Sequence, residues 1–217
     1  MHDYPILIGL GGRKESGKDT VADFLAAADD VVKIGMSDSL HETLLTLDPW
    51  VYVSTADEAL LSAEQQDALY THWAQGLARY SEIHAALGYT EMKKISEVRR
   101  LLQVMGTEVG RDMISPTLWA DLARAKASRL LADGTSAVLT GIRFANELWL
   151  VRELGGVSVF VERAGLRNED SHRSETEVGP EDFDVVLDND GTLDDLRTKT
   201  LLLMDTVLTI REERSRA

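Results

Sequence analysis

Residues 5–28 read PILIGLGGRKESGKDTVADFLAAA, three stretches of different character joined without a break. The run Pro5 to Leu10 is apolar and short, as a buried strand would be. The segment GGRKESGKDT at 11–20 is charged and punctuated by glycine, and VADFLAAA has the composition of a helix. Gly12, Gly17 and Lys18 satisfy the spacing G-x-x-x-x-G-K. Glycines let a backbone curl close to an anion, and the free N–H groups and dipole of the following helix attract it. Lys18 adds a point charge toward a transferred phosphate. The feature predicts a phosphate-binding loop at the end of the first strand of a parallel sheet, with the backbone of Gly12, Arg13, Lys14, Glu15, Ser16, Gly17, Lys18, Asp19 and Thr20 around the phosphates.

The rest of the chain continues the alternation of strands and helices. Val31 to Met36 reads as a second strand, with Ser37 or Asp38 capping the next helix. A helix from near Lys94 runs through VRRLLQVMGTEVG, and another spans Thr117 to Leu131 behind Ser115-Pro116. Strands follow at Ser136 to Thr140, Val157 to Glu162 and Phe183 to Leu187, and a last helix at Leu193 to about Glu212. This pattern predicts an α/β fold, a doubly wound parallel sheet of about five strands with ligands at the C-terminal strand edge, in a single domain over 1–217. Between Pro49 and Glu91 the pattern turns polar and helix-rich, so 48–95 reads as an inserted helical lobe. Val51-Tyr52-Val53 before Asp57-Glu58 imitates the acidic strand end of an ATPase. Three small residues intervene and the apolar run is short, so it reads as a decoy.

Composition narrows the function. With 23 basic against 37 acidic residues, a formal charge of −14, the chain lacks the basic face that a duplex-DNA binder needs, so no nucleic-acid partner is expected. An anionic ligand must be met locally by clustered cations. The absence of cysteine removes thiol catalysis and Cys-ligated zinc. No secretory or membrane-spanning run is evident, which leads to the expectation of a cytoplasmic protein with no membrane partner.

SGKDTVADFL at 16–25, VRRLLQVMGTEVG at 98–110, LWADLA at 118–123, IRFANE at 142–147, VERAG at 161–165, DSHRSE at 170–175 and LDNDGTLDDL at 187–196 together resemble the deoxynucleoside monophosphate kinases of tailed bacteriophages, members of the P-loop nucleoside monophosphate kinase superfamily. The resemblance implies the P-loop NTPase fold with an acceptor-binding lobe and a short lid. It implies transfer of the γ-phosphoryl of ATP, with Mg2+, to a deoxynucleoside 5′-monophosphate, in the host cytoplasm if phage-encoded, and it leaves a homodimer open. Because the acceptor is already a phosphate anion, charge neutralisation is the chemistry to expect.

The resemblance also distributes roles. Lys18, Arg100 and Arg143 become the catalytic cations, Arg100 as the acceptor-phosphate ligand and Arg143 as a phosphate ligand at the strand edge. Arg99 lies about 100° round the helix from Arg100, so the two cannot share one site equally. Gln103 is either a base contact or a surface residue, and Trp119 and Asp121 are either near the acceptor or, for the tryptophan, in the core. Asp38 either faces the nucleotide sugar or caps its helix. Asp19 and Thr20 are the metal candidates, with helix capping as the competing role for Asp19. Arg163, Arg167, His172, Arg173 and Glu175 suit a lid over ATP, with His172 and Glu175 toward substrate. Backbone groups of Asn189 to Gly191 would approach the adenine edge, or Gly191 would simply turn the chain. Relatives carry Asp two residues before the counterpart of Arg143, where this chain has Gly141; Asp19, Asp38 or Glu147 would have to substitute. Two alternatives stay open: another P-loop small-molecule kinase such as a phosphomevalonate-kinase-like enzyme, and a nucleotide-binding regulator weakened in catalysis.

Overall fold

A computed structural model describes residues 4–28, 31–70, 76–166 and 177–216. The chain divides into two compact units, one of residues 1–36 with 120–217 and one of residues 37–119.

The first unit is built on five parallel strands, β1 (Leu7–Gly11), β2 (Val31–Gly35), β5 (Ser136–Ile142), β6 (Val157–Glu162) and β7 (Val185–Asp188), in the order β2-β5-β1-β6-β7. β1 is central and buried along its whole length, which is why its sequence shows no polar alternation. Successive residues instead divide between two cores. Ile6, Ile8 and Leu10 join Val157, Val159 and Val161 beneath α1 (Lys18–Ala28) and α9 (Leu193–Arg216). Leu7, Leu139 and Phe160 pack on the other face with Ala120, Ala123 and Ala127 of α7 (Leu118–Ala132) and Leu148, Leu150 and Val151 of α8 (Ala145–Glu153). Helices on both faces of a parallel sheet, with β1 flanked by β5 and β6, make the doubly wound P-loop arrangement. Its ligand edge lies at the C-terminal end of β1.

The second unit has its own core, in which Leu44, Val51, Val53, Leu69, Ala78, Tyr80, Ile83, Met92, Ile95 and Val98 are buried. It contains α2 (Asp38–Leu47), a short antiparallel ribbon of β3 (Trp50–Tyr52) and β4 (Leu77–Arg79), then α3 (Thr55–Glu58), α4 (Ala63–Tyr70), α5 (Tyr80–Met92) and α6 (Ser96–Gln103). The ribbon is a feature the sequence reading lacked. It also accounts for the acidic decoy: β3 is outside the parallel sheet, and Asp57 accepts hydrogen bonds from Ser54 and Ser96 rather than facing a ligand edge. Burial works against Asp57's charge, yet those bonds outweigh it and hold its carboxyl below the usual range. After α6 the chain winds as a π-helical stretch, Val104–Ile114, closed by Ser115 N–H donating to the Gly110 carbonyl at 2.9 Å. The simple helix expected over 98–110 therefore changes its winding halfway.

Candidate active site

The loop between β1 and α1 takes its shape from backbone that side chains would forbid. Gly12 has φ of 141°, and a Cβ there would fall 2.5 Å from the Val161 carbonyl oxygen and 2.6 Å from Ser16 Oγ. Gly17 has φ of 96°, and a Cβ would meet the Asn189 amide at 2.4 Å. Between them Glu15 sits at φ of 64°, a left-handed conformation rare outside glycine and held here by a turn in which Ser16 N–H donates to the Arg13 carbonyl. α1 starts at Lys18 and its N-terminal N–H groups lack intrahelical partners.

Within that loop Lys18 is buried to 8% exposure, its Nζ 3.7 Å from the Asp19 carboxylate. Ser16 is fully buried, and its Oγ has no hydrogen-bond partner among the described residues. A buried cation and an orphaned hydroxyl, surrounded by glycine backbone, form a cradle for a polyanion. Thr20 is half-buried and Asp19 exposed on the first turn. One hydroxyl and one carboxylate suit Mg2+, which keeps most of its water and takes further oxygens from phosphate. Among the described residues there is no group of three or more His, Asp or Glu side chains that would cage a metal.

Asn189 links the end of β7 to the phosphate loop. Its side-chain amide donates to the Ser16 carbonyl oxygen at 2.7 Å, and its own N–H donates to the Glu162 carbonyl at 2.7 Å. The buried amide therefore braces the phosphate loop. Gly191 lies in the turn ahead of α9, where Thr192 and Asp195 exchange capping bonds. Arg13 reaches from the loop to the Leu166 carbonyl at 3.2 Å, while Lys14, Glu15 and Arg163 are exposed.

At the end of β5, Arg143 is half-buried and its N–H donates to Glu147, which also accepts from Phe144 N–H and is itself buried. Glu147 thus closes the start of α8. Gly141 has a plain reason to be glycine. The β1–β5 register runs Leu10 to Thr140 and then Gly11 to Ile142, so Gly141 is the extra residue of a bulge, with φ of 84°. A Cβ there would meet nothing within 4 Å, so backbone conformation and not crowding disfavours a side chain at this position.

In the 37–119 unit, Arg100 is exposed and grips Glu97 with two hydrogen bonds of 2.8 Å. Arg99 is exposed and donates to the Lys93 carbonyl at 3.2 Å, and Gln103 is exposed. Asp38 opens α2, after an N-cap Ser37 that makes no capping bond. Trp119 is buried against Gly110 and donates its indole N–H to the Gly106 carbonyl at 2.8 Å, a packing role. Asp121 is exposed on α7. Arg167, His172, Arg173 and Glu175 lie outside the described residues. Sequence reading passed over the rings around His41.

The deoxynucleotide monophosphate kinase family model matches residues 51–200. The chain belongs to that family. The match starts beyond the phosphate loop, whose reading therefore stands on its own geometry. Relatives extend over nearly the full length. A putative deoxynucleotide monophosphate kinase of Acanthamoeba polyphaga mimivirus is 26% identical, covering 92% of this chain and 96% of that protein. The deoxynucleotide monophosphate kinase of Escherichia phage RB69 is 24% identical over 89% of this chain and 97% of its own. Among solved structures, a dephospho-CoA kinase from Campylobacter jejuni superposes with a TM-score of 0.48 at 13% identity, over 93% of this chain and 96% of that one. The chain is a phosphotransferase of nucleotide metabolism. No helix among the described residues is long and apolar enough to cross a membrane.

Proposed function

We propose that this kinase transfers the γ-phosphoryl group of ATP to the 5′-phosphate of a deoxynucleoside monophosphate, yielding ADP and the diphosphate. The observation that carries the reading is the loop after β1, which brings together buried Lys18, a Ser16 Oγ without a partner among the described residues, and the N-terminus of α1. Lys18 neutralises the β- and γ-phosphates as charge shifts toward the leaving oxygen, and the fixed N–H groups of 12–20 do so without rearranging. Thr20 and Asp19 would hold Mg2+, directly or through water, and the ion would supply further neutralisation of the phosphates.

The acceptor attacks through a phosphate oxygen that is already anionic, so the chain needs no strong base. Its task is to bring two like charges together, and arginine does this with a planar, bidentate fork. Arg100 takes the acceptor phosphate in exchange for Glu97, and Arg143 takes the transferring group. Asp38, Arg99, Gln103 and Asp121 are the remaining polar candidates for the acceptor.

ADP release measured across dAMP, dCMP, dGMP, dTMP and their ribose counterparts, with ATP and Mg2+, tests the proposal. Turnover with at least one deoxynucleotide supports it. ADP release independent of any monophosphate contradicts it.

A further inference from the structure

Asp57, in the stretch that imitates the acidic strand end of an ATPase, is buried to 5% exposure in the 37–119 unit. Its carboxylate accepts four hydrogen bonds. Ser54 supplies two to Oδ2, from its N–H at 3.0 Å and its hydroxyl at 2.7 Å. Ser96 supplies the others, from its N–H to Oδ1 at 2.9 Å and from its hydroxyl to Oδ2 at 3.1 Å. Burial raises the carboxyl pKa and these bonds more than reverse the effect, so the group is ionised at neutral pH. The Ser54 bonds are local and belong to the capping box of α3. The Ser96 bonds join residues 39 apart in sequence and reach the first residue of α6.

α6 has no cap of its own, since Ile95 at the N-cap position makes no side-chain capping bond. A helix starts with N–H groups that lack intrahelical partners and with a partial positive charge, and a carboxylate answers both. Asp57 thus caps α6 from a distant segment of the chain. Ile95 and Val98 are buried and hold the side of the helix, but apolar burial has no direction of its own. Two hydrogen bonds to one carboxylate do have direction, and they fix the helix along its axis. Arg100 stands four residues on from Ser96, on the same face of the helix. Its guanidinium is clasped by Glu97, the residue next to Ser96. Wherever Asp57 holds Ser96, the fork of Arg100 follows.

We propose that Asp57 is a positioning residue of the phosphoryl transfer: it anchors the N-terminal end of α6 and thereby aims Arg100 at the acceptor phosphate, without touching substrate itself. This rests on the kinase reading above. A bidentate grip on phosphate demands a fixed fork, and a misplacement of about 1 Å far from the chemistry can cost on the order of a hundredfold in rate. Asp57→Asn keeps the shape of the side chain but turns an amide N–H2 toward donors of Ser54 and Ser96, so bonds are lost on both sides. Ser96→Ala and Ser54→Ala separate the two sides. Each removes one hydroxyl bond to the same carboxylate oxygen, the first from α6 and the second from α3.

The test measures kcat/KM for the acceptor, KM for ATP and Tm, using whichever of dAMP, dCMP, dGMP and dTMP the wild type turns over fastest. Asp57→Asn is expected to lower kcat/KM for the acceptor by roughly ten- to a hundredfold and to leave the KM for ATP unchanged. Ser96→Ala is expected to lower it by about two- to tenfold, while Ser54→Ala lowers Tm and leaves it unchanged. In an Arg100→Ala background the Asp57→Asn loss is expected to vanish, because the residue it acts through is gone. A loss that persists in full in that background overturns the inference, as does an Asp57→Asn protein that loses Tm alone. Should Asp57→Asn fail to fold, the two serine variants decide, and equal losses from both overturn the inference while leaving the kinase reading standing. A wild type that phosphorylates none of the four overturns both.

Discussion

The phosphate loop and the ring cluster each hold a buried polar atom without a partner, Ser16 Oγ in one and His41 Nε2 in the other. They arrive there by different routes. In the loop the orphan is imposed by backbone: Gly12, Gly17 and the left-handed Glu15 fix the turn, and Asn189 braces it from the end of β7. In the cluster it arises from side chains on two helices, with His41 and His84 more than forty residues apart in sequence. A rigid backbone cradle suits a ligand common to many enzymes, such as a polyphosphate. A cluster of rings on two helices can be altered one side chain at a time.

The largest expected effect lies in the loop. Lys18→Ala should lower kcat by about a hundred- to a thousandfold, the cost of losing one fixed electrostatic partner of the transition state. Its circular dichroism and Tm should stay close to wild type. Near-normal turnover in a folded variant would remove the loop from the chemistry.

Arg100→Ala should raise the acceptor KM or lower kcat by an amount equivalent to about 1.5–3 kcal/mol, with ATP affinity little changed. A greater loss in Arg99→Ala would mean that the acceptor meets the other face of α6.

Asn189→Ala should act on the loop without touching ATP. Loss of the bond to the Ser16 carbonyl, worth about 0.5–1.5 kcal/mol, should raise the KM for ATP several-fold and leave the acceptor KM unchanged. A shift in acceptor KM instead would place Asn189 in acceptor binding, not in bracing the loop.

The smallest effect belongs to the cluster and is read as stability against pH. The folded pKa of His41 is depressed to about 4 from a model value of 6.5, so the unfolded chain binds its proton first as pH falls. His41's contribution is therefore fully present above about pH 6.5 and lost progressively between about 6.5 and 4. His84, Lys93 and Glu42 face the same ring, so the measurement is the difference in Tm between wild type and a His41→Phe/Tyr80→Phe variant across that window. A parallel pair of curves would show that His41 titrates normally.

These differences also explain what could be read from sequence. The strand, loop and helix around Lys18 are local: the helical VADFLAAA lies within α1, and the expected strand Val157–Glu162 coincides with β6. β3 and β4 escaped because three-residue strands are too short to show alternation, and their pairing joins Trp50 to Arg79 across a long intervening segment. Gly141 was legible as a departure from the resemblance. Its cause, a bulge in the β1–β5 register, is a property of strand pairing that no single segment carries. The side-chain partner of Asn189 was not legible, because the backbone of Ser16 becomes its neighbour only once β1 and β7 share a sheet. The His41 cluster gave no signal at all, since neither histidine stands in a motif.

The central claim is that this chain moves the terminal phosphoryl group of ATP onto another nucleotide's phosphate. Incubation with γ-labelled ATP, Mg2+ and each deoxynucleoside monophosphate, followed by separation of products, follows that group directly. The label is predicted to appear in the deoxynucleoside diphosphate with an equal yield of ADP. Label released only as inorganic phosphate, or retained in ATP with every acceptor, would contradict the account.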